Sequence, residues 1–203
     1  MKSMSANPPR HEASGPTFQN ACGKRLTLED VFRHVASFMV QRPQAEYRFM
    51  IGTDCQAHAR ATTFVTGLVI QRVGDGAWAC YRKLTVPRRL HSIRQKLSVE
   101  TLLSEDIARL WKDRYDGRLE HIVRPYARQG AAFARYVDID AGDDLEANGT
   151  APFVAEMVGR VEALGFAARI KPDAVVASAY ANRHTKRPDG GEQLSMHVQR
   201  LIR

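Results

Sequence analysis

The sequence predicts an α/β fold in which a mixed five-stranded sheet is flanked by helices, with an extra N-terminal helix before the first strand. Apolar, β-branched runs and helix-periodic runs follow one another in the order β-β-β-α-β-α-β-α. Strands joined by short turns pair antiparallel, whereas strands separated by helices form parallel crossovers. The chain order therefore indicates a sheet of both kinds with helices on both faces.

The N-terminal region predicts a tail followed by one helix. Residues 1–23 are rich in Pro, Ser, Asn and Gly and predict a disordered tail, which leaves residues 24–203 as a single domain. Residues 27–30, Thr-Leu-Glu-Asp, form a capping-box variant with Asp in place of the usual Glu or Gln. Apolar residues follow at helical spacing until Arg42-Pro43 ends the helix.

The remaining elements follow from periodicity and turn signals. Asp75-Gly76 is typical of a hairpin turn between the second and third strands. Strands are predicted at residues 46–54, 62–73, 77–86, 135–140 and 167–170. Helices are predicted at residues 92–115 and 152–164 and from Pro172 through Arg183.

The composition excludes several classes of protein. No apolar stretch approaches the about 20 residues that span a bilayer, and the N-terminus lacks the apolar core of a secretory signal. The three cysteines, Cys22, Cys55 and Cys80, have no paired spacing. These observations favour a cytoplasmic protein with reduced thiols and no membrane partner.

The net charge of +8 is concentrated in one segment. Residues 82–96 contain no acid, and their basic residues are Arg82, Lys83, Arg88, Arg89, His91, Arg94 and Lys96. Such a segment contacts nucleic-acid phosphates or is simply a solvated loop, and the sequence leaves both open. Under the first interpretation, Arg88, Arg89, Arg94 and Lys96 are the candidate contacts.

Carboxylates follow two of the predicted strands. Asp54 comes directly after an apolar run, and Asp138 and Asp140 share one face of a later strand because the side-chain period is two. Asp140 lies nearer the end of that strand, so it is the stronger candidate. Carboxylates that converge repel one another unless a cation such as Mg²⁺ or Mn²⁺ neutralises them. Of the later pair, one is expected at the site and the other to be solvated or paired. The alternative for Asp54 is that it caps a turn.

The long predicted helix adds one acid to these. Its apolar stripe is formed by Val99, Leu103, Ile107, Leu110 and Trp111. Glu100 lies at the margin of this stripe and can lean toward the sheet, whereas Glu105 lies nearly opposite and is expected in solvent. A surface Glu paired with a basic residue is the alternative for Glu100.

Seven segments, in order along nearly the whole chain after the tail, resemble the YkuK-like family of bacterial proteins. That family is of unknown function and has a ribonuclease H-like fold. The segments are Leu-Thr-Leu-Glu-Asp at 26–30, Ile-Gly-Thr-Asp-Cys-Gln at 51–56, Phe-Val-Thr-Gly at 64–67, Leu-Ser-Val-Glu at 97–100, Asp-Ile-Asp-Ala-Gly at 138–142, Ile-Lys-Pro-Asp at 170–173 and Ala-Asn-Arg-His-Thr-Lys at 181–186.

This resemblance implies a set of site residues. Ribonuclease H-like proteins carry an Asp on the first core strand, a Glu on the first core helix and an Asp at the end of the fourth strand. Asp54, Glu100 and Asp140 fall on those elements. Asn182 stands where the family usually has Asp, and an amide is a neutral, weaker metal ligand.

Two functions are therefore expected from the sequence. The first is a Mg²⁺- or Mn²⁺-dependent nuclease in which Asp54, Glu100 and Asp140 hold the metal with Asp138 beside them, and His184 moves protons. The second is a non-catalytic module that binds nucleic acid or protein. Phosphoryl chemistry on a small molecule is a further alternative. Asp173, after Pro172, suits either a metal or the first turn of the last helix.

Overall fold

A seven-stranded mixed sheet runs through the protein in the computed structural model, which describes residues 15–141 and 151–185, without the side chains of 151, 152, 178 and 182. The strand order is β2-β1-β5-β4-β3-β6-β7. The strands are β1 Thr17–Asn20, β2 Arg25–Thr27, β3 Glu46–Ala57, β4 Thr62–Arg72, β5 Ala77–Val86, β6 Ala132–Asp138 and β7 Ala167–Arg169. The β3–β6 and β6–β7 pairs are parallel, and the other pairs are antiparallel.

All five predicted strands are present, and β1 and β2 extend the sheet beyond β5. The predicted tail is wrong for Thr17–Asn20, which forms β1 and pairs with β5 through Gln19 and Tyr81. Phe18 is 1% exposed and belongs to the main core. The tail was predicted from its average composition, to which a single aromatic residue contributes little. Disordered segments bury little apolar surface, whereas here this one side chain is buried. Residues 1–14 lie outside the described part of the chain.

The helices are α1 Leu28–Val40, α2 Ile93–Val123, α3 Ala151–Ala163 and α4 Asn182–Thr185, with a 3-10 helix at Arg124–Gln129. The capping box of α1 is confirmed: Asp30 N donates to Thr27 Oγ1 at 3.1 Å, and Thr27 N donates to Asp30 Oδ2 at 2.9 Å. Helix α2 continues well past its predicted end at Tyr115. Asp116-Gly117 resembles a stop signal, but Leu119 and Val123 prolong the buried stripe.

Helices α1, α2 and α3 cover one face of the sheet, where Trp111 of α2 stacks on Phe49 at a centroid distance of 4.2 Å. The expectation that Glu105 is solvated is wrong, because this side chain is 0% exposed and Arg160 of α3 lies 2.7 Å from Glu105 Oε2. The prediction for Glu105 assumed that the helix has only one buried face. Here α3 covers a second face of α2.

The last segment covers the opposite face of the sheet. The predicted final helix is a π-helix at Val176–Ala181 followed by α4, and Asp173 lies in the preceding exposed turn rather than in a helix. Glycines allow this segment to lie directly on the strands. A Cβ at Gly52 would lie 2.6 Å from Ala177 N, and one at Gly67 would lie 2.8 Å from Tyr180 Cδ1. This close approach fixes where α4 ends over β3.

Candidate carboxylate site

Asp54 lies on β3, on the same strand face as Gly52 and therefore beneath the final segment. It was predicted to end its strand, but β3 continues to Ala57 because the pairing with β4 continues. The Cys55 backbone N–H and the Thr185 hydroxyl both donate to the Asp54 carboxylate. Burial, and next the charge of Asp140, raise the pKa of Asp54 to about 6. Its two hydrogen bonds hold the side chain in place despite that repulsion.

Glu100 approaches the same strand from the α2 side. Thr53 Oγ1 lies 2.8 Å from Ser104 Oγ, and one turn earlier on α2 the Cys55 thiol donates to the Glu100 carboxylate. Glu100 is 6% exposed. Burial raises its pKa to about 8, and the charges of Asp140 and Asp54 act in the same direction. Glu100 is therefore protonated far more readily than an ordinary glutamate.

Asp140 lies beyond the end of β6, in the turn that leads away from the sheet. The predicted strand to residue 140 ends instead at Asp138, and Ala141 N donates to Ile139 O at 2.8 Å. Lys171 Nζ lies 2.9 Å from Asp140 Oδ1. The charge of Asp140 raises the pKa of both Asp54 and Glu100. The charge of Asp140 thus acts both on Asp54, which projects from one face of β3, and on Glu100, which approaches β3 from the other face.

Asp138 is bound elsewhere. Its buried carboxylate accepts hydrogen bonds from Arg169 Nε at 2.8 Å and from Val176 N at 2.6 Å. Burial raises its pKa, and the Arg169 charge and the Val176 bond oppose that rise. The face shared with Asp140 does not persist, since the strand ends at Asp138. The structure places Asp138 as an anchor for the π-helix.

The basic segment at residues 82–96 lies at the same ends of the strands as the carboxylates. Thr62 pairs with both Ala57 and Val86, so β3 and β5 end at this edge, and Thr62 Oγ1 donates to Arg88 O at 2.9 Å. Arg88 and Arg89 are exposed on the loop between β5 and α2. Lys96 lies one turn before Glu100, and its charge lowers the pKa of the Cys55 thiol against the larger effect of burial. Arg94 instead stacks on the Phe153 ring at 3.7 Å.

Comparison with known proteins assigns the chain to a family. The model of the family described as ribonuclease H-like matches residues 30–186. The chain belongs to the ribonuclease H-like family. It is 36% identical over 169 residues to the uncharacterized protein YkuK of Bacillus subtilis (strain 168), and this alignment covers 83% of the chain and 96% of that protein.

The YkuK-like resemblance seen in the sequence is therefore confirmed. No solved structure matches this ribonuclease H-like chain. Within the described ranges, no helix is long and apolar enough to cross a membrane.

Two further residues singled out in the sequence, Asn182 and His184, lie on α4 of this ribonuclease H-like chain. His184 stacks on Tyr81 at a centroid distance of 4.0 Å and meets the edge of Tyr180 at 5.2 Å. Its chain neighbour Thr185 is the residue that reaches Asp54. The side chain of Asn182 lies outside the described part of the structure.

A cavity of about 710 Å³ lies on the same sheet face as α4, toward the other ends of the strands. Its floor includes Met50, Val69 and Ala79, and its wall includes Tyr180 and Val176. Asp173 lines this cavity. Asp54, Glu100, Asp140 and Lys171 do not line it, so it is separate from the carboxylate site.

The chemistry of the carboxylates fits a hard divalent cation, which prefers oxygen ligands. Their spacing does not yet provide a complete metal site. Across residues 15–141 and 151–185, no three Asp, Glu, His or Cys residues are grouped so that they could hold a metal ion. The positive charge at Asp140 comes from Lys171. Sequence reasoning gave this lysine no defined role, because its contact with Asp140 joins two segments far apart in the chain.

Proposed function

We propose that this ribonuclease H-like protein is a divalent-metal-dependent phosphodiesterase that acts on nucleic acid. The observation that supports the proposal is the convergence of Asp54, Glu100 and Asp140 from three elements. After burial, the charge of Asp140 raises the pKa of Asp54, and the charges of Asp140 and Asp54 raise the pKa of Glu100. Burying like charges together destabilises a fold. Such arrangements occur mostly where function requires them.

In this proposal Asp54, Glu100 and Asp140 would hold Mg²⁺ or Mn²⁺, which supplies an activated water and stabilises the charge that develops on the phosphate. The surrounding residues orient two of the three acids. Thr185 and the Cys55 backbone fix Asp54, and the Cys55 thiol fixes Glu100. His184 is proposed as a proton shuttle because it adjoins Thr185.

The substrate class follows from the neighbouring charges. Arg88 and Arg89 are exposed at the edge where β3 and β5 end, and Arg60 is exposed in the loop between β3 and β4. Lys96 lies between that basic edge and Glu100. A polyanion bound along these residues is brought to the carboxylates, which by themselves would repel it.

Cleavage of labelled single- and double-stranded oligonucleotides with Mn²⁺ or Mg²⁺ tests the proposal. Asp54→Asn should abolish cleavage while the protein stays folded by circular dichroism. Asp113→Asn is the matched control, because Asp113 is an exposed acid on α2 away from the site. Cleavage that persists in Asp54→Asn, or in excess chelator, would contradict the proposal. A parallel assay with bis(p-nitrophenyl) phosphate tests the small-molecule alternative.

A non-catalytic nucleic-acid-binding module is the second candidate. It is favoured by the Lys171 ammonium at Asp140, which already neutralises part of the site, and by Asn at residue 182. This candidate predicts that the wild type binds oligonucleotides equally well in Mn²⁺ and in chelator, and cleaves none of them.

A further inference from the structure

Lys171 is held beside the carboxylates by its backbone. Lys171 N donates to Ala141 O at 2.9 Å, which ties the turn after β7 to the turn after β6. The ammonium then lies 2.9 Å from Asp140 Oδ1. The lysine side chain is 42% exposed, whereas that of Asp140 is 18% exposed. The ammonium therefore lies beside its partner, and the exposed side chain leaves it a path to solvent.

The charge of Lys171 acts on the whole group of acids. It lowers the pKa of Asp54 and that of Glu100, opposing burial and the charge of Asp140. Lys96 also lies nearby, and its charge acts on the Cys55 thiol. Lys171 thus acts on both Asp54 and Glu100 and contacts the third acid, Asp140.

We propose that Lys171 is a built-in counter-ion of the carboxylate site and that a divalent cation must displace its ammonium to bind there. This rests on the proposed function for the identity of the incoming cation. An ammonium and a metal ion that compete for the Asp140 oxygen repel each other. Lysine is suited to such a role because its flexible four-carbon stem can move the charge into solvent.

The described residues hold no ready-made group of metal ligands, so a cation that binds there must draw the acids together, and the ammonium at Asp140 opposes that step. The ammonium at Asp140 partly neutralises the negative charge that would attract a divalent cation to the carboxylates. Lys171 is accordingly a positioning residue that tunes cation affinity. A lysine that only contacts phosphate would leave metal affinity unchanged.

Titration of Mn²⁺ into the full-length protein, followed by electron paramagnetic resonance of the free ion, tests this proposal. Lys171→Met keeps most of the stem volume and removes the charge, and it should bind Mn²⁺ about tenfold more tightly than the wild type. Lys171→Arg keeps the charge and should stay near the wild type. Lys24→Met is the matched control, since Lys24 is exposed next to β2.

The melting temperature in chelator gives a second readout. Lys171→Met should melt lower than the wild type because the acids lose their counter-ion, and added Mn²⁺ should restore more stability to the variant than to the wild type. Equal Mn²⁺ affinity in the two proteins would overturn the counter-ion role and leave the metal-dependent function standing. Binding by Lys171→Met alone would support the counter-ion role and contradict metal dependence of the wild type. Absence of binding in both would overturn both proposals.

Discussion

Two buried glutamates on the same helix have opposite surroundings. Glu105 is 0% exposed and lies 2.7 Å from the Arg160 guanidinium. Glu100 is 6% exposed, yet it faces a thiol and the charges of Asp54 and Asp140. Burial alone therefore does not mark a functional acid. A buried acid that meets a guanidinium holds helices together, whereas one that meets other acids is available to a cation.

Glu105→Gln should produce the largest loss of stability. The substitution removes the charge that holds α3 to α2 and leaves the Arg160 and Arg109 guanidiniums without their buried partner. Because both arginines are partly exposed, water can compensate in part, and we expect a loss of about 2 kcal/mol. Urea unfolding in chelator measures it. A neutral or stabilising effect would contradict a structural role for the Glu105–Arg160 pair.

Glu100→Gln should stabilise the metal-free protein, and the gain should depend on pH. The folded pKa of about 8 lies above the ordinary 4.5, so the unfolded chain ionises first and wild-type stability falls from about pH 4.5 to 8. Gln does not titrate. The advantage of the variant should be small near pH 4.5 and at least about 1 kcal/mol at pH 8. Thermal unfolding in chelator across this range measures it, and a pH-independent difference would contradict the assignment.

The position of Glu100 on α2 could largely be predicted from the sequence. Helical periodicity placed Glu100 at the edge of the buried stripe, and the order of elements brought it toward Asp54 and Asp140. Glu105 could not be placed in this way, because its burial depends on the packing of α3. The Lys171 contact likewise depends on a backbone bond between two separate turns. Long-range packing of this kind leaves no local periodic signal.

The smallest expected effect on stability comes from reversing the charge of exposed arginines near either end of α2. Charge reversal of Arg88 and Arg89, at the Glu100 end, should change stability by less than about 0.5 kcal/mol. It should weaken oligonucleotide binding and reduce the salt-dependence slope by about 2, because two phosphate contacts are lost. Reversal of Arg124 and Arg128, exposed at the other end, is the control. Equal effects of the two double variants would show that only net charge matters.

The central claim is that the Glu100 surroundings, and not those of Glu105, receive a divalent cation. The most direct measurement is the rise in melting temperature of the wild type, Glu100→Gln and Glu105→Gln when millimolar Mn²⁺ replaces chelator. Binding to the folded state alone adds about 2.7 kcal/mol when the ion is at 100 times its dissociation constant. We predict that the wild type and Glu105→Gln both rise, the latter from a lower starting point, and that Glu100→Gln rises far less. Equal rises in the two variants, or no rise in the wild type, would contradict this account.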